Sequence, residues 1–129
     1  ESMEYTKLNF PSYDLLVSGG ITTKKDILKF KELGFSGFLA GSIFAFTTES
    51  NIHPNLKKVV VDKKSTDLSI IKNLSVVTTG NFNENDNGNL SSNWRNARLT
   101  GTDGVAFMGK AIDNITKIHS VKDICESLL

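Results

Sequence analysis

The segment from 13 to 46 constrains this chain more than any other. Tyr13-Asp-Leu-Leu-Val17 is a short apolar run closed by Ser18-Gly19-Gly20, which suits a strand buried on both faces that runs into a turn needing unusual backbone angles. Thr23-Lys24-Lys25-Asp26 follows with the hydroxyl-x-x-acid spacing of a capping box. Ile27, Phe30 and Leu33, with Leu28, then lie on one helical stripe that Gly34 ends. A second apolar run, Gly37 to Phe44, comes directly behind. Strand, glycine turn, helix and strand in that order make a βαβ unit with parallel strands and a right-handed crossover. The chain is therefore expected to be α/β, built around a parallel sheet.

The rest of the chain extends the pattern less regularly. Lys58-Val-Val-Val-Asp62 predicts another strand, Asp67 to Asn73 a short helix, and Leu74 to Thr79 a strand. Gly80 to Ser92 is crowded with Asn, Asp and Gly, whose local side-chain hydrogen bonds compete with regular structure, so a long mobile loop is expected there, a solvated insertion rather than a lid. A helix around Trp94 to Leu99, a strand over Gly104 to Met108 and a final helix capped by Ser120-Val-Lys-Asp123 complete the order. Strand, glycine turn, helix and strand thus occur around 13–46 and, more loosely, around 74–112, a weak internal repeat. No Pro-rich or Gly/Ser-rich linker divides the 129 residues, which read as a single α/β domain over 1–129.

Composition narrows the function classes. With 15 Lys and Arg against 14 Asp and Glu, the formal charge of +1 gives no general field for nucleic acid or anionic membrane. No apolar run approaches the roughly 20 residues that span a bilayer, and the N-terminus lacks the basic-then-apolar order of a signal peptide, so a soluble, cytoplasmic protein is expected. The single Cys125 makes no internal disulfide and sits in a helical pattern as a small core hydrophobe. His53 and His119 with one cysteine supply no metal-ligand spacing, and neither a metal nor a cofactor is expected. Asp14 and Asp62 read as solvated or capping carboxylates, Trp94 beside Arg95 and Arg98 as a core anchor rather than a base-stacking surface, and Lys24, Lys25, Lys29 and Lys31 as a solvated helix face.

The chemistry is expected where the two strands of the first unit end. If they are neighbours, Ser18-Gly19-Gly20 and Gly41-Ser42 lie at adjacent carboxyl ends, where α/β folds bind ligands. Glycines there let main-chain N–H groups approach an oxyanion, and a short helix starting near Ser42 would aim its positive end at it. The ligand that fits is a phosphate monoester.

These residues resemble a family. Val17-Ser-Gly-Gly-Ile-Thr-Thr-Lys-Lys-Asp-Ile27, Leu33-Gly34 and Gly37-Phe-Leu-Ala-Gly-Ser-Ile43 are similar to the seventh and eighth βα units of the ribulose-phosphate-binding (βα)8 barrels, above all the isomerase and cyclase of histidine biosynthesis. The resemblance covers about residues 13–46. It implies that Ser18, Gly19, Gly20, Gly41 and Ser42 bind the phosphate of a phosphosugar-like metabolite, within isomerase or lyase chemistry whose catalytic residues are not carried over. Asp103-Gly-Val-Ala-Phe-Met-Gly-Lys-Ala-Ile112 resembles the last strand and loop of thiamine phosphate synthase, which implies that Gly109 and Lys110 lie near a phosphate; together with Gly80 they make a possible second phosphate site. A full barrel takes about 200 residues or more, so this chain has room for four to five βα units. It is expected to be a barrel fragment or half-barrel that pairs as a homodimer or with a complementary half.

Two other readings stand beside this one. The first is a noncatalytic scaffold or interaction module that keeps the barrel pattern without its ligand. In the second, His53-Pro-Asn-Leu-Lys57, Asp62 and Thr79-Gly-Asn-Phe-Asn-Glu84 resemble the phospholipase D and polyphosphate kinase superfamily, with His53 attacking phosphorus. The lysine which that family places two residues after its histidine is Asn55 here.

Overall fold

The computed structural model describes residues 2–80, 82 and 89–129. The loop expected over Gly80–Ser92 falls largely outside them. Within the described residues the chain runs α1 (Ser2–Asn9), β1 (Leu16–Ser18), α2 (Lys24–Glu32), β2 (Gly37–Leu39), α3 (Ser42–Ala45), α4 (Pro54–Asp62), β3 (Ser69–Ile71), β4 (Leu74–Thr79), α5 (Leu90–Thr100), β5 (Gly104–Phe107) and α6 (Val121–Leu128). Short 3-10 segments at Ser65–Asp67 and Lys110–Asn114 join them. None of these helices is long and apolar enough to cross a membrane.

The first unit forms in the expected order, but its first strand is shorter than expected and not buried on both faces: in β1 Leu16 and Ser18 are exposed and Val17 is half-buried. β1 and β2 pair in parallel, with Leu16 opposite Gly37, Val17 opposite Phe38 and Ser18 opposite Leu39. Between them α2 opens on the expected capping box. The Thr23 hydroxyl accepts from Asp26 N–H at 3.2 Å, and the Asp26 carboxylate accepts from Thr23 N–H at 2.9 Å and from Thr22 N–H at 3.1 Å. The Thr23 hydroxyl foremost, with the Thr22 and Thr23 N–H groups, holds the Asp26 carboxyl below its ordinary value of 3.8, against an opposing effect of burial larger than either N–H bond alone.

That direction fixes a pH dependence. A carboxyl that is more acidic folded than unfolded contributes stability above its unfolded value, and loses it as pH falls through the folded value. Asp26→Ala is therefore expected to lower stability by about 1 kcal/mol at pH 7, the usual worth of such a cap. The gap between variant and parent should narrow below pH 4, as urea unfolding at stepped pH would show. A gap constant from pH 7 to pH 2 would refute it.

Beyond α3 the chain departs from a parallel barrel. β3, β4 and β5 form an antiparallel sheet in that order, with Ser69 opposite Val76 and Thr79 opposite Gly104. The expectation of four to five parallel βα units is corrected: among the described residues only β1 and β2 pair in parallel. The two segments carrying the sequence echo accordingly pair their strands in opposite senses. The strand expected over Lys58–Asp62 is the second half of α4, because Pro54 occupies the first helical turn and Leu56 and Val60, four apart, share one buried face. The helix expected over Asp67–Asn73 is instead the first strand of a hairpin. Lys72 and Asn73 both take positive φ, 49° and 64°, as a tight two-residue hairpin connection of the primed type requires.

The core lies in this second part. Leu56 and Val60 from α4, Val77 from β4, Ala97 from α5 and Ala106 from β5 bury together with Met108, Ile112 and Ile115. Val77 and Ala106 are direct partners across the β4–β5 register and so enter the core from one face. Of the elements before Phe46, only α3 touches this cluster, through half-buried Ala45. Buried Ile21 and Thr22 are the first unit's interior residues.

Candidate phosphate-binding turns

Parallel pairing decides where the two glycine turns lie. Since Ser18 stands opposite Leu39 at the end of the register, Gly19-Gly20 and Gly41-Ser42 leave the sheet at the same edge. Gly19 and Gly20 take φ of 96° and 70°, left-handed values that cost a side-chain-bearing residue roughly 1 kcal/mol or more. A Cβ built on Gly19, Gly20 or Gly41 meets no atom within 4 Å, so all three main chains face open space. Ser42 begins α3, whose first bonds close on the Gly41 carbonyl from Phe44 N–H and Ala45 N–H, both at 3.0 Å. The Ser42 and Ile43 N–H groups belong to the first turn of that helix and find no acceptor within it. The two turns thus leave adjacent strand ends, and the glycines in both are exposed.

The sequence did not reveal what anchors this edge. Thr22 is buried, and its hydroxyl accepts from Asn114 Nδ2 at 2.7 Å, which ties the first turn to the 3-10 segment Lys110–Asn114 across 92 positions. Thr22 was legible only as the neighbour of a cap, and nothing local pairs it with Asn114. Asp113 on the same segment accepts from Ser65 N–H and the Ser65 hydroxyl, each at 2.7 Å. The hydroxyl foremost, then the N–H, hold the Asp113 carboxyl below its ordinary value.

The other expected residues are not brought together. Gly80 follows β4 where that strand meets the start of β5, beside Asp103, while Gly109 and Lys110 follow the far end of β5. Antiparallel pairing thus separates Gly80 from Gly109 and Lys110 by the length of the sheet, roughly 15 Å, and the second phosphate site is corrected. His53 is the N-cap of α4, and its Nδ1 accepts from Asn55 N–H at 3.2 Å. Lys57 Nζ donates to the Ser50 carbonyl at 2.9 Å. His53 of the phosphoryl-transfer reading and the nearby Lys57 therefore serve as a helix cap and a loop tie, while residues 81, 83 and 84 of its Asn-rich segment lie outside the described residues.

Trp94 packs against the core with its ring 6.2 Å from that of Phe107. Asp14 is exposed ahead of β1, and Asp62 closes α4. Among the described residues no three His, Cys, Asp or Glu side chains gather as a metal site.

No known protein family matches the sequence, and no curated protein matches it. Solved structures do. The chain is similar to FabK from Thermotoga maritima, at 22% identity and a TM-score of 0.77, over 91% of this chain and 43% of that one. It is similar as well to the M276A mutant of the same protein, at 24% identity and a TM-score of 0.78, over 91% of this chain and 40% of that one. The chain spans less than half the length of these neighbours, and at such identity the likeness is one of fold alone: this chain has a partial, barrel-like α/β fold.

Proposed function

We propose that the chain binds a phosphorylated small metabolite through the main-chain N–H groups of Gly19, Gly20, Gly41 and Ser42, with Ser18 at the rim. The observation that carries this reading is the parallel register of β1 and β2, which sets both glycine turns at one sheet edge with nothing over their Cα atoms. Convergent backbone donors suit a phosphate because its three oxygens accept several N–H bonds at once. The likeness of 13–46 to phosphosugar-binding barrels of the histidine-biosynthesis type supports the same ligand class. A half-barrel extended by further parallel strands fits as well, since Leu16 and Leu39 on the paired strands are 59% and 58% exposed. Isomerase or lyase chemistry remains part of that proposal, with no catalytic residue assigned.

Isothermal titration of the chain with inorganic phosphate and with ribose 5-phosphate tests it. Saturable binding of both is expected. Gly41→Ala, at a negative φ of −112° with open space around its Cβ, should weaken both ligands about tenfold because a methyl group would stand where the oxygens approach, a loss of about 1.4 kcal/mol. Gly20→Asp should abolish binding by adding a like charge. No heat from the unmodified protein with either ligand would overturn the reading.

A further inference from the structure

A cavity of about 140 Å³ lies behind these turns, between α3, α6 and the 3-10 segment Lys110–Asn114. Ile43, Phe46, Ile115 and Ile124 supply its apolar wall, and three of these, Phe46, Ile115 and Ile124, are at most 4% exposed. An apolar cavity of about 150 Å³ takes a benzene molecule; here the rest of the lining, Thr22, Asn114, Lys117, His119, Asp123 and Ser127, is polar, so the apolar wall suits a small branched aliphatic group and the polar part its charged end.

Charges of both signs reach the same cavity. Lys117 lines it, and among the described residues its ammonium makes no hydrogen bond or ion pair. Asp123 lines it as well. Its Oδ2 accepts from Ser120 N–H at 3.2 Å, and a carboxylate has about four acceptor positions, so acceptor capacity remains for a second donor. Hydrogen bonding to Ser120, its hydroxyl first, holds the Asp123 carboxyl below its ordinary value and therefore ionised near neutral pH. Lys117 and Asp123 are not paired with each other. A ligand with an anion alone would satisfy Lys117 and confront Asp123, and one with a cation alone would do the reverse.

We propose that this cavity binds a small aliphatic α-amino acid, with its side chain against Ile43, Phe46, Ile115 and Ile124, its carboxylate on Lys117 and its ammonium on Asp123. The site adjoins the glycine turns, sharing Thr22 and Asn114 with their anchor, but its ligand and its test do not rest on the phosphate reading.

Titration of the chain with L-leucine, followed by NMR chemical shifts, is the test. Two analogues that each lack one charge, 4-methylpentanoate and 3-methylbutylamine, serve as controls. Leucine should saturate, and each analogue should bind about tenfold more weakly, the worth of one charge-assisted hydrogen bond. Lys117→Met and Asp123→Asn should each cost leucine about tenfold. Asparagine keeps an acceptor for the Ser120 cap, and Lys117→Met alters an exposed side chain, so the second variant keeps the test readable if the first loosens α6. The proposal is overturned if leucine gives no saturable shifts, if either analogue matches leucine, or if Lys117→Met binds leucine as the parent does.

Discussion

Gly104→Ala is expected to destabilise the chain by about 3 kcal/mol, the upper range for overpacking a filled interior. Gly104 is buried at the start of β5, and a Cβ there would meet the Asn93 carbonyl oxygen, the Ala97 Cβ at 2.8 Å and the Ala97 nitrogen at 3.0 Å. Two of those atoms are backbone of α5, which cannot swing aside as a side chain can, so helix and strand must separate. Separation would also disturb the Gly104 N–H bond to the Thr79 hydroxyl at 3.1 Å, which is buried. In urea unfolding the midpoint should fall with little change in slope, and the thermal midpoint should drop by roughly 10 °C for a domain of this size. A shift worth less than about 1 kcal/mol would show that β5 does not rest directly on the α5 backbone.

Leu56→Ala is expected to cost about 3–4 kcal/mol, through lost transfer free energy and the cavity left behind. Leu56 is fully buried, at 0% exposure, and belongs to the cluster that joins α4 to β4, α5 and β5. Against a total stability of about 5–15 kcal/mol for an ordinary domain, that loss is large enough to populate the unfolded chain at 37 °C. Leu8→Ala is the matched control, since Leu8 is 82% exposed and should change stability by no more than about 0.5 kcal/mol. Equal effects from the two leucines, measured in the same urea series, would contradict the placement of the core.

How far the sequence spoke for itself depended on whether its signals were local. Whereas the apolar run Gly37–Phe44 holds a strand only to Leu39 before α3 begins at Ser42, the capping box at Thr23 and Asp26 and the cap at Ser120 each rest on residues a few positions apart, and each is present. The glycine turns were legible for the same reason. Lys58 to Asp62 misled because three consecutive valines favour strands. The Pro54 start and the four-residue spacing of Leu56 and Val60 were the better guides, since tertiary burial of a face outweighs intrinsic preference.

The hairpin at Lys72-Asn73 carried no Asn-Gly or Asp-Gly signal, and a lysine at positive φ is not anticipated from residue type. Strand sense was the deepest difficulty. A strand, a helix and a strand in order read the same whether the second strand returns parallel or antiparallel, and only the packing of α5 against β5 resolves it. That is why Gly80 and Gly109 looked like a pair and are not one.

The division of the core has a consequence for the glycine turns. β1 and α2 contribute no buried residue, and the main cluster begins only at Phe46. The turns are thus held by a few threads, among them the parallel ladder, Ile21 and the Thr22–Asn114 bond, and the free energy needed to open this stretch is smaller than that for the molecule as a whole. Under the proposed reading, a phosphate bound at the turns would add its own binding energy to keeping the stretch closed, and occupancy and order would rise together.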